Sequence, residues 1–184
     1  MVVYEVSERR DDLFVKPDRH WRKANLGSLF CPQCYIIDRR LYPAPIDAML
    51  DDIPRDTNAS AAFQAAVGVV RVALLDLIRP LATEYAIGKC LRRDGSLFTD
   101  FCTMYSSRYL YYRGEGLTPT ECPHCHTIRS AGSPLAGVSV SRSELFGDVM
   151  QNSICRLVLT ERAATPIRLA KFTGLVLRPI RVVD

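Results

Sequence analysis

The longest apolar stretch of the chain covers residues 60–78 and reads SAAFQAAVGVVRVALLDLI. Its apolar residues recur at spacings of three and four, which would place the following set on one helical face: Phe63, Val67, Val70, Leu74, Leu77 and Leu81. Asp56, Thr57 or Asn58 can cap such a helix, because each has a short polar side chain. Pro80 should end or kink it. Since the opposite face is also largely apolar, the pattern predicts a central core helix.

Four other segments have patterns typical of strands. Residues 2–8 alternate apolar and polar side chains and predict a short strand. The tyrosine-rich segment 98–116 suits a strand pair, or a short helix followed by a strand. Residues 155–160 and 174–183 predict two strands, and Thr160 can cap a helix between them, although Pro166 weakens that helix. The C-terminal part at 155–183 is therefore predicted to be a β-α-β unit.

These elements together predict one α+β domain over residues 1–184, with a central apolar helix and a small mixed sheet. The length of 184 residues is enough for a core of ordinary size. The net charge of +4 comes from arginines scattered along the chain, so a nucleic-acid surface is disfavoured.

The expected location is cytoplasmic. The first residues lack the charged and apolar regions of a signal peptide. Gln64, Arg71 and Asp76 interrupt the longest apolar stretch, so no membrane span is expected. A reducing cytosol also argues against structural disulfides, and Cys90, Cys102 and Cys155 are expected to be small buried side chains.

Two Cys-Pro-x-Cys pairs carry the clearest chemical signal in the sequence. Cys31 and Cys34 form the first pair, and Cys122 and Cys125 form the second. Zinc favours four ligands in a tetrahedron, and each CxxC turn can supply two thiolates. The pairs are much further apart than in ordinary zinc ribbons. The prediction is a split pair of zinc knuckles, at 31–34 and 122–125, that share one structural Zn²⁺ and join distant parts of the chain.

Three other interpretations of the cysteines remain open. Cys-Pro-His-Cys also occurs in redox proteins, but that chemistry needs a strand before the motif and a helix after it. The segments GEGLTPTE before Cys122 and HTIRSAGSPLAG after Cys125 fit neither element. A catalytic zinc site with His124 or His126 as a base lacks an accompanying HExxH motif. Unliganded buried thiols are the third alternative.

The three histidines are secondary candidates. His20 and His126 can replace a cysteine as metal ligands, although a surface or packing role is favoured for each. His124 lies between two cysteines of one pair, where a knuckle usually directs its side chain outward. No catalytic residues are predicted, because no carboxylates or serines show a catalytic spacing.

Taken in order, these features resemble the bacterial double-CxxCG motif family, which includes immunity proteins against toxins delivered between neighbouring cells. The resemblance covers most of the chain except residues 84–116. Its landmarks besides the N-terminal strand and the two CxxC pairs are HWRKANLGSLF, YPAP (42–45), LIRPLA (77–82) and a terminal strand-TER-helix-strand ending in VLRPIRV. The family has glycine after each pair, where this chain has Tyr35 and His126. That glycine commonly supplies a left-handed turn.

The resemblance implies a non-catalytic immunity protein that is stabilised by zinc and binds a cognate toxin. It implies no small-molecule substrate. The alternative is a zinc-ribbon protein that binds nucleic acid or acts as a regulator, and the third hypothesis is an enzyme with a catalytic zinc or dithiol. Aromatic and arginine residues of the middle segment are candidates for a partner interface by composition alone: Tyr109, Tyr111, Tyr112 and Arg113.

Overall fold

The computed structural model describes residues 1–8, 15–42, 46–62, 65–131 and 137–184. These residues form a mixed α+β fold, as predicted. The α-helices are α1 (Arg19–Leu26), α2 (Val72–Ile78) and α3 (Glu161–Ala170). The strands are β1 (Val2–Glu8), β2 (Ala48–Met49), β3 (Ala59–Ala62), β4 (Val67–Arg71), β5 (Ala86–Leu91), β6 (Leu97–Tyr105), β7 (Thr118–Glu121), β8 (Ile128–Ala131), β9 (Ser139–Ser141), β10 (Val149–Gln151), β11 (Leu157–Thr160) and β12 (Leu175–Val183).

The first sheet has five strands in the order β10-β11-β1-β12-β9. The predicted N-terminal strand is confirmed as β1, which lies at its centre. Both β11 and β12 run antiparallel to β1, so they are parallel to each other with β1 between them. Helix α3 connects them, which confirms the C-terminal strand-helix-strand order. Pro166 lies inside α3 without ending it.

The second sheet has the order β2-β5-β6-β4-β3. Both five-stranded sheets are mixed, because β9 and β2 each pair in parallel with a neighbour. Where one small mixed sheet was predicted, the described residues form two five-stranded mixed sheets and a separate β7-β8 hairpin.

The predicted central helix is largely wrong. Residues 59–62 and 67–71 form the antiparallel pair β3-β4. Among the described residues of this segment only Val72–Ile78 is α-helical, and a 3-10 turn follows at Arg79–Leu81. The strands β3 and β4 are buried on both faces, so their apolar residues show no alternation and mimic a buried helix. The β-branched valines of β4 favour a strand. Phe63 and Gln64, part of the predicted helix, lie outside the described residues, as do residues 43–45 of the YPAP landmark.

One apolar cluster joins the two sheets. Val6 of β1 and Leu159 of β11 pack in the same cluster as Met104 of β6. Leu74 of α2 and Ile167 of α3 belong to it too, and all five side chains are almost fully buried. Helix α2 contacts the second sheet, α3 contacts the first, and the two helices contact each other, so both belong to this shared core.

The tyrosine-rich segment ends in irregular structure after β6. Residues 106–117 contact the rest of the fold through isolated bridges, Leu110 with Asn152 and Arg113 with Ser139. Tyr112 anchors this segment by donating a hydrogen bond of 2.5 Å to the buried Glu5 carboxylate. Asn152 and Arg156 donate to the same carboxylate at 2.8 and 3.0 Å. Burial, reinforced by the Glu5 charge, raises the pKa of Tyr112 well above its ordinary value.

In the described part of the chain, every helix is too short or too polar to cross a bilayer.

Candidate metal centre

The four predicted ligand residues come together at one point of the fold. The sulfur atoms of Cys31, Cys34, Cys122 and Cys125 all lie within 4.8 Å of one another, and all four residues are buried. Cys31 Sγ is 3.8 Å from Cys122 Sγ, and Cys34 Sγ is 3.5 Å from Cys125 Sγ. All four are free thiols rather than disulfides. The sequence prediction that the two pairs meet is therefore confirmed, and the group can hold a metal ion.

The sulfur separations agree with those of a single tetrahedral ion. Zinc–sulfur bonds of about 2.3 Å in a tetrahedron place the sulfur atoms about 3.8 Å apart. The Cys31–Cys122 and Cys34–Cys125 sulfur separations, 3.8 and 3.5 Å, are close to this value. Four sulfur ligands are typical of structural zinc or of iron–sulfur centres. The donor set therefore fits a tightly held thiophilic metal.

The two knuckles have the same backbone structure. In the first, the Tyr35 N–H donates to the Cys31 carbonyl at 2.8 Å, and the Cys31 N–H donates to Ile36 at 2.9 Å. The same pair of bonds recurs at 2.8 and 3.0 Å in the second knuckle, at the matching positions: His126, Cys122 and Thr127. An antiparallel bridge flanks each turn, Phe30 with Ile37 and Glu121 with Ile128. Matching cysteines are 91 residues apart.

Tyr35 and His126 take the left-handed backbone conformation that the resemblance assigns to glycine. Their φ angles are 58° and 56°. This conformation brings Cβ close to the neighbouring carbonyl, so it costs a non-glycine residue about 1–2 kcal/mol. Both side chains point outward: Tyr35 is 78% exposed, and His126 Nδ1 lies 2.7 Å from Glu121 Oε1. The knuckle geometry is thus kept without glycine, at a cost in backbone strain.

A polar bridge outside the cysteines joins the two knuckle segments. Arg40 donates twice to the buried Asp38 carboxylate, from Nε at 2.9 Å and from Nη2 at 2.6 Å. The same Nη2 donates to the His124 carbonyl at 3.2 Å, across 84 residues of sequence. Hydrogen bonds from Arg40 lower the pKa of Asp38 and keep its carboxylate charged. This bridge was not predicted, because Asp-x-Arg has no distinctive signature in a sequence.

The thiols of the second knuckle have different proton affinities. The backbone N–H of Cys125, with that of His124, donates toward Cys122 Sγ and lowers the pKa of that thiol to about 6. Burial raises the pKa of Cys125 to about 11. A bound cation favours the thiolate form at every ligand, so it would override this difference.

The predictions for the histidines have different outcomes. His20 is exposed on α1, and neither it nor His126 belongs to the described group of potential metal ligands. His124 was expected to point outward, and it is exposed, but its Nδ1 lies 3.6 Å from Cys31 Sγ. His124 therefore contacts a ligand sulfur, which the sequence alone did not indicate.

The remaining buried cysteines lie away from this centre. Burial raises the pKa of Cys102 to about 11 and raises that of Cys90 further. Cys102 Sγ donates to the Val70 carbonyl at 3.5 Å in the second sheet. These thiols, like Cys155, are buried as predicted.

Comparison of the sequence with protein-family models and with curated proteins finds no match to either.

Proposed function

We propose that the protein is a non-catalytic immunity protein that binds a cognate bacterial toxin and is held in shape by one structural zinc ion. The observation that carries the structural part is the convergence of four buried thiols within 4.8 Å. The toxin as partner follows from the resemblance to the double-CxxCG family. The cysteines stabilise the fold, and the binding of the toxin is assigned to another surface.

Zinc is proposed over an iron–sulfur centre because of the size of the site. A cluster of several iron and sulfide atoms is larger than one ion and needs its thiolates further apart. The close approach of Cys31 to Cys122 and of Cys34 to Cys125 suits a single ion. Zinc in such a shell would neutralise thiolate charge and fix the two knuckles against each other.

A structural role is proposed over a catalytic one because the protein itself supplies all four ligands. A catalytic zinc site uses three protein ligands and keeps its fourth position for water or substrate. Here four cysteines can supply all four ligands, and each is at most 7% exposed. Neutralisation of the toxin would then be stoichiometric, by occlusion of the toxin's active site.

The immunity function is tested with the gene adjacent to the one that encodes this chain. Its product is expected to arrest growth alone, to be tolerated when co-expressed with this protein, and to co-purify with it in a defined ratio. A neighbour that is not toxic, or one whose toxicity persists on co-expression, would count against the proposal. Strong DNA or RNA binding that weakens steeply with salt would favour the nucleic-acid alternative instead.

A further inference from the structure

An arginine-lined cleft lies on the second sheet, among residues not used in the metal centre. It encloses about 480 Å³, which is in the range of ordinary binding sites. Residues 52–55 form one side, Phe98 to Phe101 of β6 lie along it, and three arginines line it: Arg55, Arg71 and Arg92. We call this the arginine cleft.

Arg71 is held in position by the fold. Its Nε donates to the Thr57 carbonyl at 3.0 Å, and its Nη2 donates to the Arg55 carbonyl. Its guanidinium lies 4.8 Å from the ring centroid of Phe101, which is the cross-strand partner of Arg71. A guanidinium fixed by backbone carbonyls and a ring is pre-organised, so it loses little entropy when it binds an anion.

Arg92 is held in a similar way in the connection between β5 and β6. Its guanidinium lies 4.3 Å from the centroid of Phe98, and its Nη1 donates to the Leu97 carbonyl. Together, Arg71 and Arg92 present two stacked guanidinium groups to the same cleft.

The cleft arginines form no close ion pairs in the described part of the chain, although the Asp94 carboxylate interacts with Arg92 at longer range. Ion pairs are common elsewhere on the protein, for example between Arg79 and Asp76 at 3.1 Å. Within the described ranges, none of Arg55, Arg71 and Arg92 forms an ion pair, although Asp52 and Asp100 also line the cleft. Three guanidinium groups against two carboxylates leave a net positive charge. A partner carboxylate can therefore bind them without breaking a close ion pair.

The mixed lining favours a polypeptide over a nucleic acid. A run of phosphates would meet the Asp52 and Asp100 carboxylates as well as the arginines. A polypeptide offers carboxylates to the arginines and N–H donors to the aspartates. Single-stranded nucleic acids also need exposed aromatic faces for base stacking. Phe101 is only 9% exposed, and Arg92 covers a face of Phe98.

We propose that the arginine cleft binds an acidic segment of a partner protein, with Arg55, Arg71 and Arg92 as carboxylate-binding residues. This deepens the proposed function and rests on it in one respect, that the natural partner is a protein. The cleft is then the surface that recognises the toxin.

The test uses the full chain and a fluorescein-labelled oligoglutamate peptide, with an oligoglutamine peptide and an oligothymidylate as comparison probes. The variant is Arg55→Gln with Arg92→Gln, which leaves the backbone-bonded Arg71 in place. The matched control is Arg19→Gln with Arg181→Gln, because both residues are exposed and the change in net charge is the same. Fluorescence anisotropy at low salt is expected to show binding of oligoglutamate only, weakened about tenfold in the cleft variant and less than about twofold in the control.

Each result that would overturn the cleft proposal can be told apart from failure of the immunity function. Absence of oligoglutamate binding to the wild-type chain, or an equal loss in both variants, overturns the cleft as a binding site. Tighter binding of the oligothymidylate, lost in the cleft variant, assigns the cleft to nucleic acid. If the adjacent toxin binds the cleft variant as tightly as wild type, the cleft assignment fails while the immunity function stands. If the adjacent gene does not encode a toxin but oligoglutamate binds in the cleft, the immunity function fails while the cleft remains a binding site for acidic polypeptides.

Discussion

Tyr35 and His126 have the same backbone conformation, with φ of 58° and 56°, and each directly follows the second cysteine of its pair. Each N–H closes its knuckle on the carbonyl of the first cysteine, at 2.8 Å in both cases. The two turns are therefore repeats of one motif, and each requires a conformation that disfavours an L side chain.

Replacing either residue by glycine is expected to stabilise the protein. Tyr35→Gly and His126→Gly should each raise the free energy of unfolding by up to about 1 kcal/mol, because relief of left-handed strain exceeds the added entropy of the unfolded chain. Urea unfolding with metal present measures the change. Gln33→Gly is the control, since Gln33 is exposed in the first turn but outside the positive-φ region. The Gln33→Gly variant should have an unchanged or lower free energy of unfolding. If Gln33→Gly raised this free energy as much as Tyr35→Gly and His126→Gly do, the strain argument would be contradicted.

Metal removal is expected to unfold or loosen the protein. Purified in reducing buffer, it should contain one zinc ion per chain, and Cys31→Ser or Cys125→Ser should abolish that content. Loss of a structural zinc should lower the free energy of unfolding by several kcal/mol. Cys102→Ala is the control, because this buried thiol lies outside the cysteine cluster. It should keep the zinc and cost about 1–2 kcal/mol at most. A metal-free wild-type protein of unchanged stability would exclude the structural zinc.

The bridge from Asp38 through Arg40 to His124 should contribute separately to stability. Arg40→Gln removes both bonds to the buried Asp38 carboxylate and the bond to the His124 carbonyl. The expected loss is about 1–3 kcal/mol, because a buried carboxylate loses its charged donor. Arg79→Gln is the control: its bond to Asp76 lies between two exposed side chains, and its loss should cost less than about 1 kcal/mol. Equal small effects would show that the bridge contributes nothing beyond a surface pair.

Local sequence patterns were enough to predict the cysteine site, the N-terminal strand and the C-terminal strand-helix-strand order. Each CxxC turn depends on a few consecutive residues, and β1 alternates clearly between apolar and polar positions. Residues 60–62 and 67–71 were misassigned because a strand buried on both faces loses that alternation. The Arg40–His124 bond and the arginine cleft depend on how distant segments pack. No local pattern in the sequence encodes that packing.

Gly88 is expected to be irreplaceable in β5. A Cβ atom there would lie 2.0 Å from the Ile46 carbonyl oxygen, which also accepts a hydrogen bond from Thr103. Gly88→Ala should therefore cost about 3 kcal/mol or more, because backbone atoms must move apart. Gly27→Ala is the matched control, since nothing lies within 4 Å of its added Cβ and its φ is −56°. That variant should be neutral or stabilised by up to about 1 kcal/mol in urea unfolding. A similar response at both glycines would mean that the close contact with Ile46 is absent.

Tyr112 should stabilise the fold at neutral pH and lose this effect at alkaline pH. Its hydroxyl donates to the buried Glu5 carboxylate, and Tyr112→Phe removes that donor at a cost of about 1–2 kcal/mol. Burial raises the pKa of the folded phenol well above its ordinary value. The folded state therefore retains a proton that the unfolded chain releases above about pH 10. Stability from Tyr112 is present below that pH and falls as the pH rises through it.

Urea unfolding of the wild-type and Tyr112→Phe proteins at pH 8 and at about pH 11 measures this difference. The gap between the two proteins should narrow at the higher pH. Tyr35→Phe is the control, because the Tyr35 side chain is 78% exposed and its hydroxyl faces solvent. It should leave stability unchanged at both pH values. A gap that stays constant with pH would mean that Tyr112 ionises equally in the folded and unfolded chains, which is inconsistent with a phenol hydrogen-bonded to the buried Glu5 carboxylate.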